Sequence, residues 1–285
     1  MTVRTQQQGI DRRVRVGDLD LAYRESGDPG GAAVLVLHGI MGHAREWDVL
    51  VDALSPRFRV IGLDQRGHGR SDWAEEYTAK AMAADIVDVV GALDLAPVCI
   101  VAHSMGAMAA QIATALRPDL VDRLVIIDIA PASVEEAGPM LAEWMEGLVA
   151  RRYRDADEAL DEWMTGNHLA REPLMRHYVE HNLVADGSGL RWRFDPRIRE
   201  FVLGGVTAAE LWEAIDRITV PTLLIRGEHS PHLSEEAARA VLDRLPDGRF
   251  ARIRSGAHDL GVEQPEQVAA AVQAFLEGGG PGPVS

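Results

Sequence analysis

The pattern of apolar and polar positions changes character along the chain. Around Arg13–Val16 and Leu19–Arg24 the two kinds alternate, which predicts an antiparallel hairpin. Ala33–Leu37 is instead apolar at every position and ends at His38-Gly39. Short unbroken runs of this kind fit strands buried on both faces of a parallel sheet. The run recurs at Val60–Leu63, Val98–Ala102, Leu124–Ile129 and Thr222–Ile225, with a shorter one near Arg249–Ile253. Helical periodicity lies between and after them, at Glu46–Leu54, Tyr77–Leu93, Met105–Leu116, Ser234–Leu245 and Pro265–Leu276. Strands and helices in alternation predict an α/β fold, with a mostly parallel eight-stranded sheet flanked by helices.

The alternation stops between Pro131 and Ile218. That stretch reads as several amphipathic helices without a core strand, and it holds Trp144, Trp163, Trp192 and Trp212, four of the 6 tryptophans. Core-type strands resume after it, so the prediction is an insertion at 131–217 within a core formed by 11–130 and 218–276. Residues 277–285 are rich in Gly and Pro and read as a flexible tail, and the polar residues 1–10 are also expected to be loose.

Composition narrows the function. The 285 residues carry 29 basic and 44 acidic side chains, a net charge of −15. A long-range field of that sign repels nucleic acid and anionic membrane surfaces. Lys80 is the sole lysine and lies in a polar, helix-like stretch, which leaves no choice of lysine for Schiff-base chemistry. The single cysteine, Cys99, excludes an internal disulfide or a multi-cysteine metal site, and its apolar neighbours make it a small buried hydrophobe. Met1–Pro29 lacks the apolar core of a secretory signal, and no run is long enough to span a bilayer, so a cytoplasmic protein is expected. No His-x-x-x-His pair with a third ligand and no dinucleotide fingerprint is found, so no metal and no cofactor are expected. The expected partner is a small-molecule substrate, with a homodimer left open.

The chemistry centres on Val101-Ala102-His103-Ser104-Met105-Gly106. It follows the apolar run Val98–Ala102 and opens the helix beginning near Met105. A serine at such a strand–turn–helix junction is lifted above the sheet beside helix N-terminal amides, the arrangement of a nucleophile elbow. Ala102 stands where the G-x-S-x-G pattern has its first glycine, the least disruptive replacement. A serine hydroxyl is a weak nucleophile at neutral pH and needs an adjacent base. Of the 10 histidines, His258 lies in the loop between the last apolar strand and the last helix, at the active edge of the sheet. His38 and His68 belong to glycine-rich turns, His103 precedes the serine and should point away from it, and His229 and His232 are loop residues within reach of a pocket.

With these motifs the chain resembles the α/β-hydrolase superfamily from about residue 12 to residue 276. His38-Gly39-Ile40-Met41-Gly42 resembles its oxyanion loop, Asp64–Asp72 its D-x-R-G-x-G-x-S turn, and Gly256-Ala257-His258 its catalytic-histidine loop. The insertion at 131–217 sits where that superfamily has a helical lid. The resemblance implies Ser104 as nucleophile, His258 as base, and the backbone N–H groups of Ile40 and Met105 as the oxyanion hole. The third triad member departs from the common pattern. The usual acid position after Thr222–Ile225 is occupied by Ser230, within Gly227-Glu228-His229-Ser230. Some branches place the acid one strand earlier, where Asp128 closes Val125-Ile126-Ile127; Glu228 is the alternative, and Asp259 is badly placed to orient its neighbour. On this reading Ser230 has no part, and Ser230→Ala should be nearly silent.

Asp64–Asp72, Asp128-Ile129-Ala130-Pro131 and Arg226–Ser230 further resemble (E)-2-(acetamidomethylene)succinate hydrolases, and small esterases share the Asp-Ile-Ala-Pro stretch. The implied activity is hydrolysis of a small ester, amide, enamide or lactone through an acyl-enzyme. Met41, Trp144, Met145, Trp163, Trp192 and His229 are candidate pocket residues, and Arg191 and Arg193 could set a cation near its mouth. Two other readings of the same fold stay open: a non-hydrolytic ligand receptor, and a C–C bond hydrolase or cofactor-free oxygenase using the His–acid pair.

Overall fold

The computed structural model describes residues 9–278, with the side chains of 135–140 left aside. The expected loose segment at 1–8 and the tail from 279 lie outside the described residues. Eight strands form one sheet: β1 (Ile10–Val16), β2 (Leu19–Gly27), β3 (Ala33–Leu37), β4 (Arg59–Leu63), β5 (Val98–His103), β6 (Val121–Ile127), β9 (Thr222–Gly227) and β10 (Gly248–Ile253). Their order is β1-β2-β4-β3-β5-β6-β9-β10. The first hairpin and the β2–β4 pair are antiparallel, and every later pair is parallel.

The unbroken apolar runs serve two cores at once. In β3, Val34 and Val36 face one side of the sheet while Leu35 and Leu37 face the other. Cys99 and Val101 of β5 likewise oppose Ile100 and Ala102. Helices α1 (Asp48–Leu54) and α10 (Pro265–Leu276) cover one face, with Trp47, Leu54 and Phe275 fully buried there. Helices α2 (Ala79–Ala92) and α3 (Ser104–Leu116) cover the other. A strand with both faces dry has no use for alternation, because a residue pointing either way is removed from water.

The stretch from 131 to 217 contains α4 (Ser133–Ala150), α5 (Ala156–Gly166), α6 (Glu172–Asn182) and α7 (Ala208–Arg217). It also holds a two-stranded antiparallel ribbon, β7 (Leu183–Ala185) and β8 (Leu190–Trp192), which the sequence did not suggest. Three-residue strands are too short to show a period. Helix α6 packs on a short 3-10 turn at Ala44–Trp47 and on α9 (Leu260–Glu263), whereas α7 lies against α3 on the flank of the sheet. Among the described residues no helix is long and apolar enough to cross a membrane.

Two loops at the carboxyl edge of the sheet are tied down by buried polar side chains. The Asp64 carboxylate accepts the N–H groups of Ala44 (2.7 Å) and Arg70 (2.9 Å). The Ser71 hydroxyl donates to the Asp64 carbonyl and accepts the Ala22 N–H, joining this turn to β2. The D-x-R-G-x-G-x-S sequence is thus a set of ties around one buried carboxylate. The arginine of that motif, Arg66, meets Asp85 of α2 through two bonds of 2.6 and 2.8 Å.

Phe275 is fully buried between α10 and the sheet, on the face away from Ser104. Phe275→Ala should destabilise the fold by about 3–5 kcal/mol through lost apolar contact and a residual cavity. Urea denaturation would register this as a lower midpoint at unchanged slope.

Candidate active site

Three residues in left-handed backbone conformations surround one point above the sheet. Ser104 has φ 48°, Asp128 φ 54° and Met41 φ 62°. Side chains other than glycine resist this region at a cost of about 1–3 kcal/mol each, so such residues persist where surrounding structure imposes them. Ser104 sits between β5 and α3, and space is short on both sides. A Cβ at Gly106 would come within 2.6 Å of the His38 carbonyl oxygen. One at Gly39 would meet the His103 ring at 2.8 Å and the Ser104 Cβ at 3.3 Å. Ala102 is fully buried and fits where the first glycine was expected.

Two hydrogen bonds then run in series. Ser104 Oγ lies 3.2 Å from His258 Nε2, and His258 Nδ1 lies 2.9 Å from Asp128 Oδ2. The Asp128 side chain is fully buried at the end of β6. Its other oxygen accepts the Gly227 N–H at 2.8 Å. Burial works against the His258 imidazolium, but the Asp128 carboxylate, with Asp259 and Glu263 nearby, outweighs it and holds the pKa above its ordinary 6.5. Glu228, the alternative acid, faces away: its carboxylate accepts the Ser255 N–H at 2.9 Å and lies beside the exposed His229.

Ser230 departs from expectation. Its hydroxyl oxygen accepts the N–H groups of His232 (3.1 Å) and Leu233 (2.9 Å). With both lone pairs so engaged, its one proton is left to donate, and it goes to Asp128 Oδ2 at 2.6 Å. The side chain at the usual acid position is therefore a hydrogen-bond donor to Asp128 one strand away, not a bystander. A serine reads from sequence as a missing carboxylate, and only the approach of the β6 and β9 loops reveals the contact.

His38 and His68 brace the loop carrying Ile40. His38 Nδ1 donates to the Gly39 carbonyl (2.7 Å) and its Nε2 accepts the Gln65 N–H (3.0 Å). His68 Nε2 accepts the Met41 N–H at 3.1 Å. Each ring thus uses one nitrogen as donor and the other as acceptor, which requires the neutral form. Burial favours it, depressing His38 well below the usual range and His68 to about 4. The Met41 carbonyl accepts from Tyr178 (2.9 Å) and Asn182 (2.7 Å) of α6, so the loop is also tied to the inserted helices.

Ser104 and His258 open into a cavity of about 370 Å³, also lined by Ile40, Met41, Met105, Trp144 and Trp163. The Met105 N–H lies in the first turn of α3, where amides have no intrahelical acceptor. The other candidate pocket residues lie elsewhere. Met145 is fully buried under α4. Its neighbour Trp144, about 100° round the helix, reaches the cavity while Met145 packs beneath. Trp192 is buried behind the wall, its ring 4.9 Å from Trp163 and 5.7 Å from Tyr153. His229 is exposed, and His232 takes the place expected of it, edge-on to His258 at 4.3 Å between ring centres.

Other polar groups meet here that sequence reasoning set aside. His103 lines the same cavity and its Nε2 bonds the His258 carbonyl at 2.9 Å, steadying the base's backbone. Asn167, at the end of α5, donates to Asp259 at 2.9 Å and so links the inserted helices to the residue after the base. Glu46 is buried in the cavity wall and pushed up to about 8, by burial first and then by Asp259. No sequence signal marks Glu46, because its role depends on a neighbour 213 residues away (259 − 46).

Comparison with known proteins agrees with this fold. Residues 32–265 match the family model described as the alpha/beta hydrolase fold. The 2-(acetamidomethylene)succinate hydrolase of Mesorhizobium japonicum is 31% identical over 271 residues, covering 94% of this chain and 95% of that protein. Esterase YbfF of Escherichia coli is 27% identical over 254 residues, 85% of this chain and 92% of its own. The crystal structure of an E-2-(acetamidomethylene)succinate hydrolase superposes with a TM-score of 0.83 at 27% identity, over 94% of this chain and 99% of that one. A match across most of the sequence, around a serine on a strand–helix turn, makes this chain a member of the α/β-hydrolase fold family.

Proposed function

We propose that this hydrolase acts as a serine hydrolase on a small acyl substrate, through an acyl-enzyme formed on Ser104. The observation that carries the reading is the series Ser104–His258–Asp128, two hydrogen bonds of 3.2 and 2.9 Å opening into a mainly apolar cavity. Asp128 accepts the Nδ1–H of His258 and so keeps Nε2 free to take the serine proton. As that proton moves to Nε2, Ser104 Oγ bonds to the substrate's acyl carbon. The carbonyl oxygen gains the negative charge and is met by the N–H groups of Ile40 and Met105. The tetrahedral adduct collapses when the leaving group departs with the proton from Nε2. Water then adds to the acyl-enzyme by the same route, with His258 first taking and then returning a proton, and the carboxylic acid is released.

Relatives differ in the bond they cleave: one is named for an ester, another for an acetamidomethylene compound. The triad treats an ester, an amide and an enamide alike at the acyl carbon, so the bond class is set by the leaving group's fit. A receptor reading gains no support from relatives named as enzymes. A C–C hydrolase or oxygenase reading requires activity without Ser104.

The experiment is removal of the nucleophile. Ser104→Ala should cut turnover of a 4-nitrophenyl ester by about 10⁴–10⁶-fold and abolish labelling by a fluorophosphonate. Labelling that persists in this variant would refute the assignment. Asp128→Asn should keep the fold and lose about 10⁴-fold in kcat, because the wrong tautomer is then held.

The pH profile separates the roles of Asp128 and Ser230. Activity needs neutral His258, so kcat/KM should fall on acidification with a midpoint above 6.5, the side to which His258 is shifted. Removing the carboxylate in Asp128→Asn should move that limb to lower pH. In Ser230→Ala the carboxylate loses a donor and attracts the imidazolium more strongly, so the limb should move to higher pH. A lost hydrogen bond to a charged group is worth about 1.5–3 kcal/mol, so Ser230→Ala should also unfold at a lower urea concentration. An unshifted limb in Ser230→Ala would remove its positioning role.

A further inference from the structure

We infer that the cavity accepts only acyl substrates without negative charge: an ester or amide whose acyl part is uncharged. The inference rests on the serine-hydrolase reading of the same site and specifies its substrate.

The charge of the lining is one-sided. Among the described residues lining the cavity there is no arginine or lysine. Its ionisable groups include Glu46, Asp259 and Glu263 together with three histidines. His103 is held well below its ordinary 6.5 and His232 falls to about 4, burial being the largest cause for both, so neither is a cation at neutral pH. His258 is the base and is already paired with Asp128. Glu46 at about 8 and Glu263 at about 7 are neutral or negative across the working range, never positive. The rest of the wall is mainly apolar, with Met41, Met108, Ile129 and Trp144 among its residues.

The inserted segment does not supply the missing cation. It contains ten arginines between 131 and 217. Nine face a carboxylate within 4 Å. The tenth, Arg193, donates to the Leu183 carbonyl at 2.9 Å. Arg191, expected to mark the pocket mouth, lies 5.4 Å over the exposed Trp73 ring and beside Asp186 instead. Arg226 is buried near the Asp128 loop, and it donates to the carbonyls of Leu233 and Glu228.

A substrate carboxylate would therefore enter a mainly apolar space without a counter-charge and add to three carboxyl groups already crowded together. An unpaired buried charge is strongly disfavoured, and each wall carboxyl that is ionised makes it worse. A methyl ester of the same acid has the same reach and none of that penalty. The cavity volume of about 370 Å³ sits at the small end of ligand pockets, which fits a short acyl chain and a modest leaving group.

The test compares three 4-nitrophenyl esters on the full chain at pH 7.5: the butyrate, the hemisuccinate and the methyl succinate. Spontaneous and non-specific release is subtracted using Ser104→Ala. The butyrate and methyl succinate should be cleaved with kcat/KM at least about 10²-fold above the hemisuccinate, the penalty of an unpaired buried charge. Hemisuccinate cleavage within threefold of the methyl succinate overturns the charge inference and leaves the hydrolase reading standing. Absence of Ser104-dependent cleavage for all three esters removes both.

Discussion

A carboxylate buried to zero exposure organises the site. Three donors meet the Asp128 carboxylate there: the Gly227 amide, the Ser230 hydroxyl and the His258 imidazole. Each donor comes from a different element, the end of β9, the loop after it, and the loop after β10. Removing one leaves a charge in the interior with too few partners, which proteins tolerate poorly. The position of His258, and through it the geometry at Ser104, follows from satisfying this one group. The left-handed backbone at Asp128 turns its side chain toward the β9 loop.

The second level of support lies under His258 and under the Gly39–Met41 turn. His103 bonds the His258 carbonyl, and His38 and His68 fix the Gly39–Met41 turn. All three rings are kept neutral by burial; His38 and His68 serve as fixed donor–acceptor pairs and His103 as a donor across the pH range in which His258 titrates. Only His258 faces a carboxylate at hydrogen-bond distance within the cavity, which is why one histidine of four has its pKa raised. A histidine that titrates and others held neutral a few ångströms away thus have separate tasks, set by what each ring nitrogen meets.

The inserted helices take part in the site through hydrogen bonds as well as cover. Tyr178 and Asn182 hold the Met41 carbonyl, and Asn167 holds Asp259. Movement of α5 or α6 would therefore be felt at both the oxyanion loop and the base. Arginines are abundant in this segment, yet their carboxylate and carbonyl partners draw them to its surface. The apolar, acid-flanked cavity beneath is the counterpart of that arrangement.

The sheet and its helices were legible from the chain alone, because a strand buried on both faces must be apolar throughout and a flanking helix apolar at one stripe. The serine at the strand–helix turn was legible for a related reason: small residues at 102 and 106 signal a crowded backbone. Side-chain direction in the inserted helices was not, since Trp144 and Met145 are equally apolar and only packing decides which faces the cavity. Nor could composition separate His229 from His232, two loop residues whose exposure depends on how the β9 loop folds back. The carboxylate that meets His258 was half legible. The chain carried Asp128 at a strand end and a serine at the usual place, which left Glu228 as a rival. Tertiary structure alone brings the β6 and β9 loops together, and that approach makes Ser230 a donor to Asp128 while leaving Glu228 outside. Local sequence determines which elements form; contacts between groups a hundred residues apart, such as Asp128 and Ser230, exist only once those elements have packed.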